Sequence, residues 1–468
     1  MNELTMTLNA KSSIPLYEQI YEYIKSDIRR GKITCKEKLP STRALAKYLE
    51  VSRSTVELAY EQLLAEGDIE AEPCRGFFVA QIEELYQWER IPEKPMKKRK
   101  EHVESYRFDF SPRGIDLQSF PYGVWRKLTK EVLADDKSEL FQLGDSQGEY
   151  GLRSTICQYL YQSRGVHCEP EQIVVGAGNE YLLMLLGMLL GKDHRIAFEN
   201  PTYLRAYQVF ENLSYRTCAV EMDRKGMRID ELEKSGADIA YVMPSHQYPL
   251  GIVMPIQRRT ELLRWAEEGQ RYIIEDDYDS EFRYKGKPIP ALQGYDCKGK
   301  VIYIGTFSRS IAPSIRISYL VLPKTLLPIY YEKCRFLSST VSRVDQLIIQ
   351  RFIEKGYYER HLNKMRALYK GRHDMMLSQL KTYLPLCEIS GEHAGVHLLL
   401  TFPKERKEEE LIKRAEEKGV KVYGLSSYDI RREQTKQPVI LLGYANLSEE
   451  KIKEAIQLLS KAWADKIR

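Results

Sequence analysis

The sequence predicts an α/β protein preceded by a small winged helix-turn-helix module. Three observations predict it. From about residue 108 onward, short apolar, β-branched stretches alternate with helical ones, the pattern of a mainly parallel sheet covered on both faces. Residues 16–64 hold three helical stretches, the last two separated by a three- to four-residue turn, as in a helix-turn-helix. Between these regions apolar periodicity is lost, and prolines at 92 and 95 precede a basic stretch, as in a solvated linker. The expected division is a module over 1–80, a linker over 81–107 and a large domain over 108–468.

A chain of 468 residues with 43% hydrophobic and 29% charged residues is ample for more than one core. A formal net charge of +5 is too mild to announce a nucleic-acid binder by itself. The 8 cysteines are scattered without a CxxC pair, which argues for a reduced, cytoplasmic protein rather than a disulfide framework. The opening MNELTMTLNA lacks the basic and apolar regions of a signal peptide. The longest apolar run, Leu182 to Leu190, is about half a membrane span and reads as a buried helix.

In the N-terminal module, Leu16, Ile20, Ile24 and Ile28 recur every fourth residue, giving a helix one apolar stripe. Gly31 ends it. Pro40-Ser41-Thr42 starts a second helix, with Ser41 or Thr42 as its cap. A third begins near Ser52 and turns Val56, Ala59, Tyr60, Leu63 and Leu64 inward. IEAEPCRGFFVA then alternates around a glycine, as a two-stranded wing would. Residues 1–80 carry 11 basic and 12 acidic groups, but residues 25–55 carry 9 basic and 3 acidic. The positive charge therefore collects around the turn. A recognition helix reads base edges with its N-terminal residues, flanked by phosphate contacts.

LPSTRALA, VSRSTV, AYEQLLAEG and RGFFV together resemble the GntR-type winged helix. The resemblance implies binding to a double-stranded DNA operator. It implies that Arg43, Ser52, Arg53, Ser54, Thr55 and the wing around Gly76 face the DNA. In the linker, Lys97-Lys98-Arg99-Lys100 either adds phosphate contacts or simply solubilises the connector.

In the large domain, ligands of such sheets bind beyond the carboxyl ends of strands, so residues just after each strand matter most. In order these are Gly176 to Asn179, Glu199 to Tyr203, Pro244 to Pro249, Asp276 to Tyr278, and Thr306 to Arg309. The glycine turn at 176–178 opens an apolar helix whose N-terminus suits a phosphate, or serves only as a tight turn. Tyr203 stacks on a flat ring or merely packs. Asp276 follows apolar residues and needs a partner, either a protonated ring nitrogen or a cap or salt bridge. Tyr278 is placed to hydrogen-bond a phenolic oxygen. Arg316 clamps a phosphate or pairs with an acid.

With FDFSPRGIDLQSFPYGVW, GDSQGEYGLR and the stretch to about residue 465, these segments resemble fold-type-I, pyridoxal-phosphate-dependent aminotransferases, which add a small C-terminal α+β domain. A winged helix followed by such a domain is the architecture of MocR/GabR-type transcriptional regulators. The resemblance implies that Gly178, Asn179, Thr306, Ser308 and Arg316 surround the cofactor phosphate. Tyr203 lies over the ring, Asp276 pairs with the ring nitrogen, and Tyr278 meets the ring hydroxyl, with His246 or Gln247 nearby. Arg205 faces an effector. The resemblance further implies a head-to-tail homodimer.

Two positions depart from that pattern. VIYIGTFSRSIAPSIRISYLVL carries Arg309 where the Schiff-base lysine is expected. A guanidinium stays protonated and does not condense with an aldehyde, so a normal internal aldimine is not expected. At the effector-binding position near the C-terminus, where the pattern has a carboxylate-binding arginine, stands Asn446, in LLGYANLS. Together they argue against an active aminotransferase. The expected function is a DNA-binding regulator whose domain senses a small molecule, pyridoxal phosphate or a related metabolite, held non-covalently. The alternatives are an active aminotransferase with an appended DNA-binding domain, and a regulator whose pocket binds something other than the cofactor. An engineered lysine replacement would also leave an arginine at 309. His393 and His397 read as one strand face, too far apart for a shared metal, and no membrane partner is expected.

Overall fold

The computed structural model describes residues 6–81, 106–134, 138–284, 288–432 and 437–464. The basic run at 97–100 lies outside the described residues. The chain divides into two compact units, Met1–Val103 and Glu104–Arg468.

The first unit holds α1 (Leu16–Arg29), α2 (Thr42–Leu49), α3 (Arg53–Glu66), β1 (Ile69–Glu72) and β2 (Gly76–Val79). Ile20, Ile24 and Ile28 lie along one buried face of α1, which packs against Val56, Ala59 and Leu63 of α3. Burying each such aliphatic side chain contributes about 1.5–3 kcal/mol. Ser41 caps α2 by accepting from the Ala44 N–H at 3.2 Å, and Ser52 caps α3 by accepting from Thr55 at 3.1 Å. Glu50, left-handed at φ 55°, stops α2 and begins the short turn. β1 and β2 pair antiparallel, Ile69 opposite Val79.

The second unit begins with β3 (Phe108–Asp109), α4 (Tyr122–Leu133) and α5 (Tyr150–Arg164). Then come β4 (Ile173–Gly176), α6 (Asn179–Leu190), β5 (Arg195–Asn200), α7 (Leu204–Asn212), β6 (Arg216–Asp223), β7 (Gly226–Met227), α8 (Ile229–Lys234) and β8 (Ile239–Val242). They are followed by α9 (Ile256–Glu268), β9 (Tyr272–Asp277), β10 (Val301–Thr306) and β11 (Ser318–Val321). One eight-stranded sheet results, ordered β4-β11-β10-β9-β8-β5-β6-β7. Strands β10, β9, β8, β5 and β6 are parallel, while β11 runs against both its neighbours. Ile239 to Val242 and Ile173 to Gly176 are buried throughout, as continuous apolar strands between helix layers should be. Strand β6 is half exposed and mixes polar with apolar residues, which is why its sequence does not stand out as a core strand.

The remaining elements are α10 (Leu327–Lys333), α11 (Arg343–Glu354), α12 (Tyr357–Tyr383), β12 (Glu388–Ser390), β13 (His397–Thr401), α13 (Glu408–Glu417), β14 (Val420–Lys421), β15 (Tyr423–Gly424), β16 (Val439–Gly443) and α14 (Glu449–Trp463). β12, β13, β16 and β15 form an antiparallel sheet that shares a core with α12, α13 and α14. β14 pairs instead with β3, Val420 beside Phe108, so the start of this unit is built onto its last subdomain. Strand β13 begins at His397 and leaves His393 in the preceding turn. The two histidines therefore do not share a strand face, correcting the expectation for that stretch. No described helix is long and apolar enough to cross a membrane, and α6 buries its leucines at 182, 183, 185, 186 and 189.

Candidate functional site: an arginine-lined cavity and the N-terminal winged helix

The segments that follow β4, β5, β8, β9 and β10 converge on one open cavity of about 190 Å³. Gly178, Asn179, Tyr203, Arg205, Asp276, Tyr278, Thr306, Ser308, Arg309 and Arg316 all line it. His246, Gln247 and Asn446 do not. The backbone after β8 turns so that Met243 and Tyr248 face the cavity, while the residues between them point back. His246 is buried behind Tyr278, with Nδ1 3.0 Å from the Tyr278 hydroxyl and 2.9 Å from an Asp279 oxygen. Gln247 donates to the Pro201 carbonyl at 2.8 Å and accepts from the Leu250 N–H at 2.9 Å, closing its own loop. Asn446 is exposed and donates to the Asp109 carbonyl at 3.0 Å.

At one part of the wall, the first turn of α6 presents N–H groups that lack intrahelical partners. Gly178 there has φ 96°, and a Cβ on it would run into the Arg316 guanidinium. Only glycine allows that approach. The buried Ser308 Oγ and Asn179 Oδ1 have no hydrogen-bond partner among the described residues. Thr306 is already engaged: its Oγ1 accepts from the Ser308 N–H at 3.2 Å and pairs with Ser318 Oγ at 2.8 Å. Arg316 and Arg205 both reach Glu180, at 2.9 and 3.2 Å. Burial opposes ionisation of Glu180, but the two arginines hold its carboxyl below the usual range.

Asp276 lies at the end of β9, buried at 3% exposure. It accepts from the Tyr241 hydroxyl and, at 3.5 Å, from Asn179 Nδ2. No described cation pairs with it. Burial pushes its carboxyl up to about 7, although the Tyr241 hydrogen bond pulls the other way. Arg309 turns towards the opening segment of the unit, donating to the carbonyls of Pro112 at 2.7 Å and Gly114 at 3.4 Å. Arg113, Glu180, Met243 and Tyr248 also line the cavity without having been singled out in sequence. Tyr248 stood within a flagged turn. Arg113 follows no strand of the main sheet, so nothing in its surroundings flagged it. The lining holds four guanidiniums against two carboxylates, an excess suited to a phosphate dianion.

In the N-terminal unit, Arg53 and Ser54 are exposed at the start of α3 and Arg43 is exposed near the start of α2. Arg53 Nε pairs with Glu57 at 2.7 Å. Ser52 Oγ acts as the helix cap and also lies 2.7 Å from Thr55 Oγ1. Gly76 begins β2 at φ 111°, its Cα facing the Lys38 side chain. Lys38 and Arg75 lie over the Phe78 ring at 5.9 and 5.4 Å. Arg75 in the wing and Lys38 in the loop before α2 thus place two cations beside Gly76.

Residues 16–79 match the family described as bacterial regulatory proteins, gntR family, and residues 116–459 match aminotransferase class I and II. Over 98% of its length the chain is 41% identical to the uncharacterized HTH-type transcriptional regulator YdeL of Bacillus subtilis, covering 99% of that protein. It is 30% identical, over 98% of this chain and 96% of the other, to the probable rhizopine catabolism regulatory protein MocR of Rhizobium meliloti. The chain belongs to the MocR-type regulators. This regulator is a DNA-binding protein with a winged helix and an aminotransferase-like domain. A solved Pyrococcus horikoshii kynurenine aminotransferase, in complex with PMP, superimposes with TM-score 0.70 at 26% identity. That match covers 78% of the regulator and 92% of the enzyme.

The fold family implies pyridoxal phosphate, and the regulator's residues fit it in part. The orphaned Ser308 hydroxyl, the α6 N-terminus and Arg316 suit the phosphate. Asp276, a buried carboxylate lacking a cation, suits a protonated ring nitrogen. Among the described residues no lysine lines the cavity to bond the aldehyde. Nor do the described residues hold a group of three or more metal-ligating side chains.

Proposed function

We propose that the regulator's aminotransferase-like domain senses pyridoxal phosphate or a close relative, bound without covalent attachment, and that occupancy alters operator binding by a homodimer. The observation that supports this is a cavity that brings together the unpartnered Ser308 hydroxyl, the α6 N-terminus, Arg316 and the buried Asp276, with Arg309 in the turn after β10. Arg309 stands at the position of the family's lysine. Its guanidinium stays charged and is engaged with two backbone carbonyls.

When bound, the cofactor supplies an aldehyde and an electron-withdrawing ring. Ser308, Arg316 and the α6 N-terminus would hold its phosphate. Asp276 would keep the proton on the ring nitrogen, Tyr203 would pack against the ring, and Tyr278, steadied by His246, would donate to the ring hydroxyl. No group at position 309 accepts or returns a substrate proton, so ligand is held and not turned over. In the other unit, Arg53, Ser54 and Arg43 contact the operator, with the wing beside them. A two-fold dimer matches paired half-sites.

The test is a titration of the purified protein with pyridoxal phosphate, followed by calorimetry and visible absorbance. Saturable heat is expected, with no borohydride-trapped adduct in this cavity. An adduct there would overturn the non-covalent reading, and absence of heat would overturn the cofactor. For the DNA unit, Arg53→Ala should weaken operator binding by about 1–3 kcal/mol in a gel-shift titration and leave the dimer intact. Unchanged affinity would remove α3 from the base-reading role.

A further inference from the structure

Of the cavity's four guanidiniums, three have strong acceptors inside the protein. Arg205 and Arg316 share Glu180, and Arg309 donates to the carbonyls of Pro112 and Gly114. Arg113 is the fourth. It makes no ion pair among the described residues. Its Cζ lies 5.7 Å from the Tyr203 ring centroid, and the hydroxyls of Tyr248 and Tyr428, themselves 2.9 Å apart, stand beside it. Aromatic faces and neutral hydroxyls favour a cation modestly. They leave most of its planar fork of five donors unused.

The segment that carries Arg113 is fixed from two directions. The Gly443 N–H donates to the Phe110 carbonyl at 2.9 Å, and Asn446 donates to the Asp109 carbonyl at 3.0 Å. From the cavity side, Arg309 holds the carbonyls immediately before and after Arg113. Gly114 sits so close to Asn446 that a Cβ on it would overlap the amide. This corner thus has a neutral amide engaged with backbone at 446 and a charged, underused fork at 113.

We infer that Arg113 is the anchor for a carboxylate on the effector, separate from the phosphate end at Ser308 and Arg316. Arg309 is the positioning residue that aims it. The inference rests on the proposed phosphopyridoxyl-type ligand and narrows it to a molecule with two anionic ends, a phosphate and a carboxylate. A guanidinium fork meets a carboxylate with two parallel hydrogen bonds, which a neutral amide cannot match.

Two aldehyde-free probes differ mainly by that carboxylate: pyridoxamine phosphate and N-(5′-phosphopyridoxyl)glycine. Calorimetry on the full-length protein at fixed ionic strength gives the ratio of their affinities. The unaltered protein should favour the glycine conjugate about tenfold or more, as a charge-assisted pair would give. Arg113→Gln and Arg113→Ala should both collapse that preference to about twofold or less, while Arg113→Lys keeps part of it. Arg309→Gln should also reduce the ratio although Arg113 is present. A preference that survives both neutral substitutions at 113 would overturn the anchor, as would equal binding of the two probes by the unaltered protein. A preference undiminished in Arg309→Gln would overturn the positioning role. If neither probe binds, the cofactor-like reading itself falls, and the anchor with it. Urea unfolding of each variant confirms that the ratios come from folded protein.

Discussion

Asp276 and Asp277 are neighbours on β9, both buried, and point to opposite faces of the sheet. Asp277 meets its cation inside the protein: Arg164 Nε lies 2.8 Å away, and the Tyr303 hydroxyl donates at 2.6 Å. Asp276 has only neutral donors, and burial raises its carboxyl to about 7. A sheet that alternates its side chains can therefore hold one charge for architecture and, one residue earlier, keep another for a guest. A completed ion pair is a structural statement. A buried acid without a cation is costly unless a ligand supplies one.

That contrast can be broken by four measurements. Arg164→Ala should have the largest effect, lowering stability by about 3–5 kcal/mol because it leaves Asp277 buried and uncompensated; urea unfolding reads this directly. Asp276→Asn should leave the ligand-free protein as stable or more so, yet weaken pyridoxal phosphate binding by about tenfold or more. Loss of stability comparable to Arg164→Ala would mean that Asp276 has an internal partner after all. The third measurement is pH dependence. The folded-state carboxyl of Asp276 is raised from 3.8 to about 7, so the folded chain binds that proton more tightly than the unfolded one. Its stabilising contribution is complete below pH 3.8 and is lost as pH rises through about 7. Ligand-free wild type should therefore lose stability relative to Asp276→Asn across that window, and parallel curves would remove Asp276 as the titrating group. Tyr241→Phe should have the smallest effect, about 0.5–1.5 kcal/mol. It removes one donor to the Asp276 carboxylate and should reduce ligand affinity severalfold, measured by the same calorimetry.

Much of this architecture can be read from residue order. Four-residue spacing in Ile20, Ile24 and Ile28 marks a helix face, and serines before apolar runs mark caps at 41 and 52, because both signals are local. The strand-end rule likewise brings Asp276, Tyr278, Ser308 and Arg309 to one cavity. Direction within a long turn is not local. Seven residues follow β8 up to Pro249, and their backbone reverses, so His246 and Gln247 face inward while Tyr248 faces the cavity. Asn446 turns away from the cavity for a similar reason: it lies three residues past β16, where strand alternation no longer dictates which way a side chain points. Arg113 was missed because its place depends on Arg309, almost two hundred residues later, and on pairing between β3 and β14. Glu180 was missed because a carboxylate in the first turn of a helix is ordinary, and only its two arginine partners make it part of the site.

The pairing of β3 with β14 has a further consequence for shortened products of this gene. A polypeptide ending before residue 420 would contain every residue of the helix-turn-helix and its wing. It would lack β14, β16 and the Asn446 amide, which tie the segment bearing Arg113 into place. Such a fragment would keep the residues of the DNA-binding unit and lose the wall that, in the function proposed above, meets the ligand. Truncation near the C-terminus would therefore produce a deaf protein before it produced a blind one.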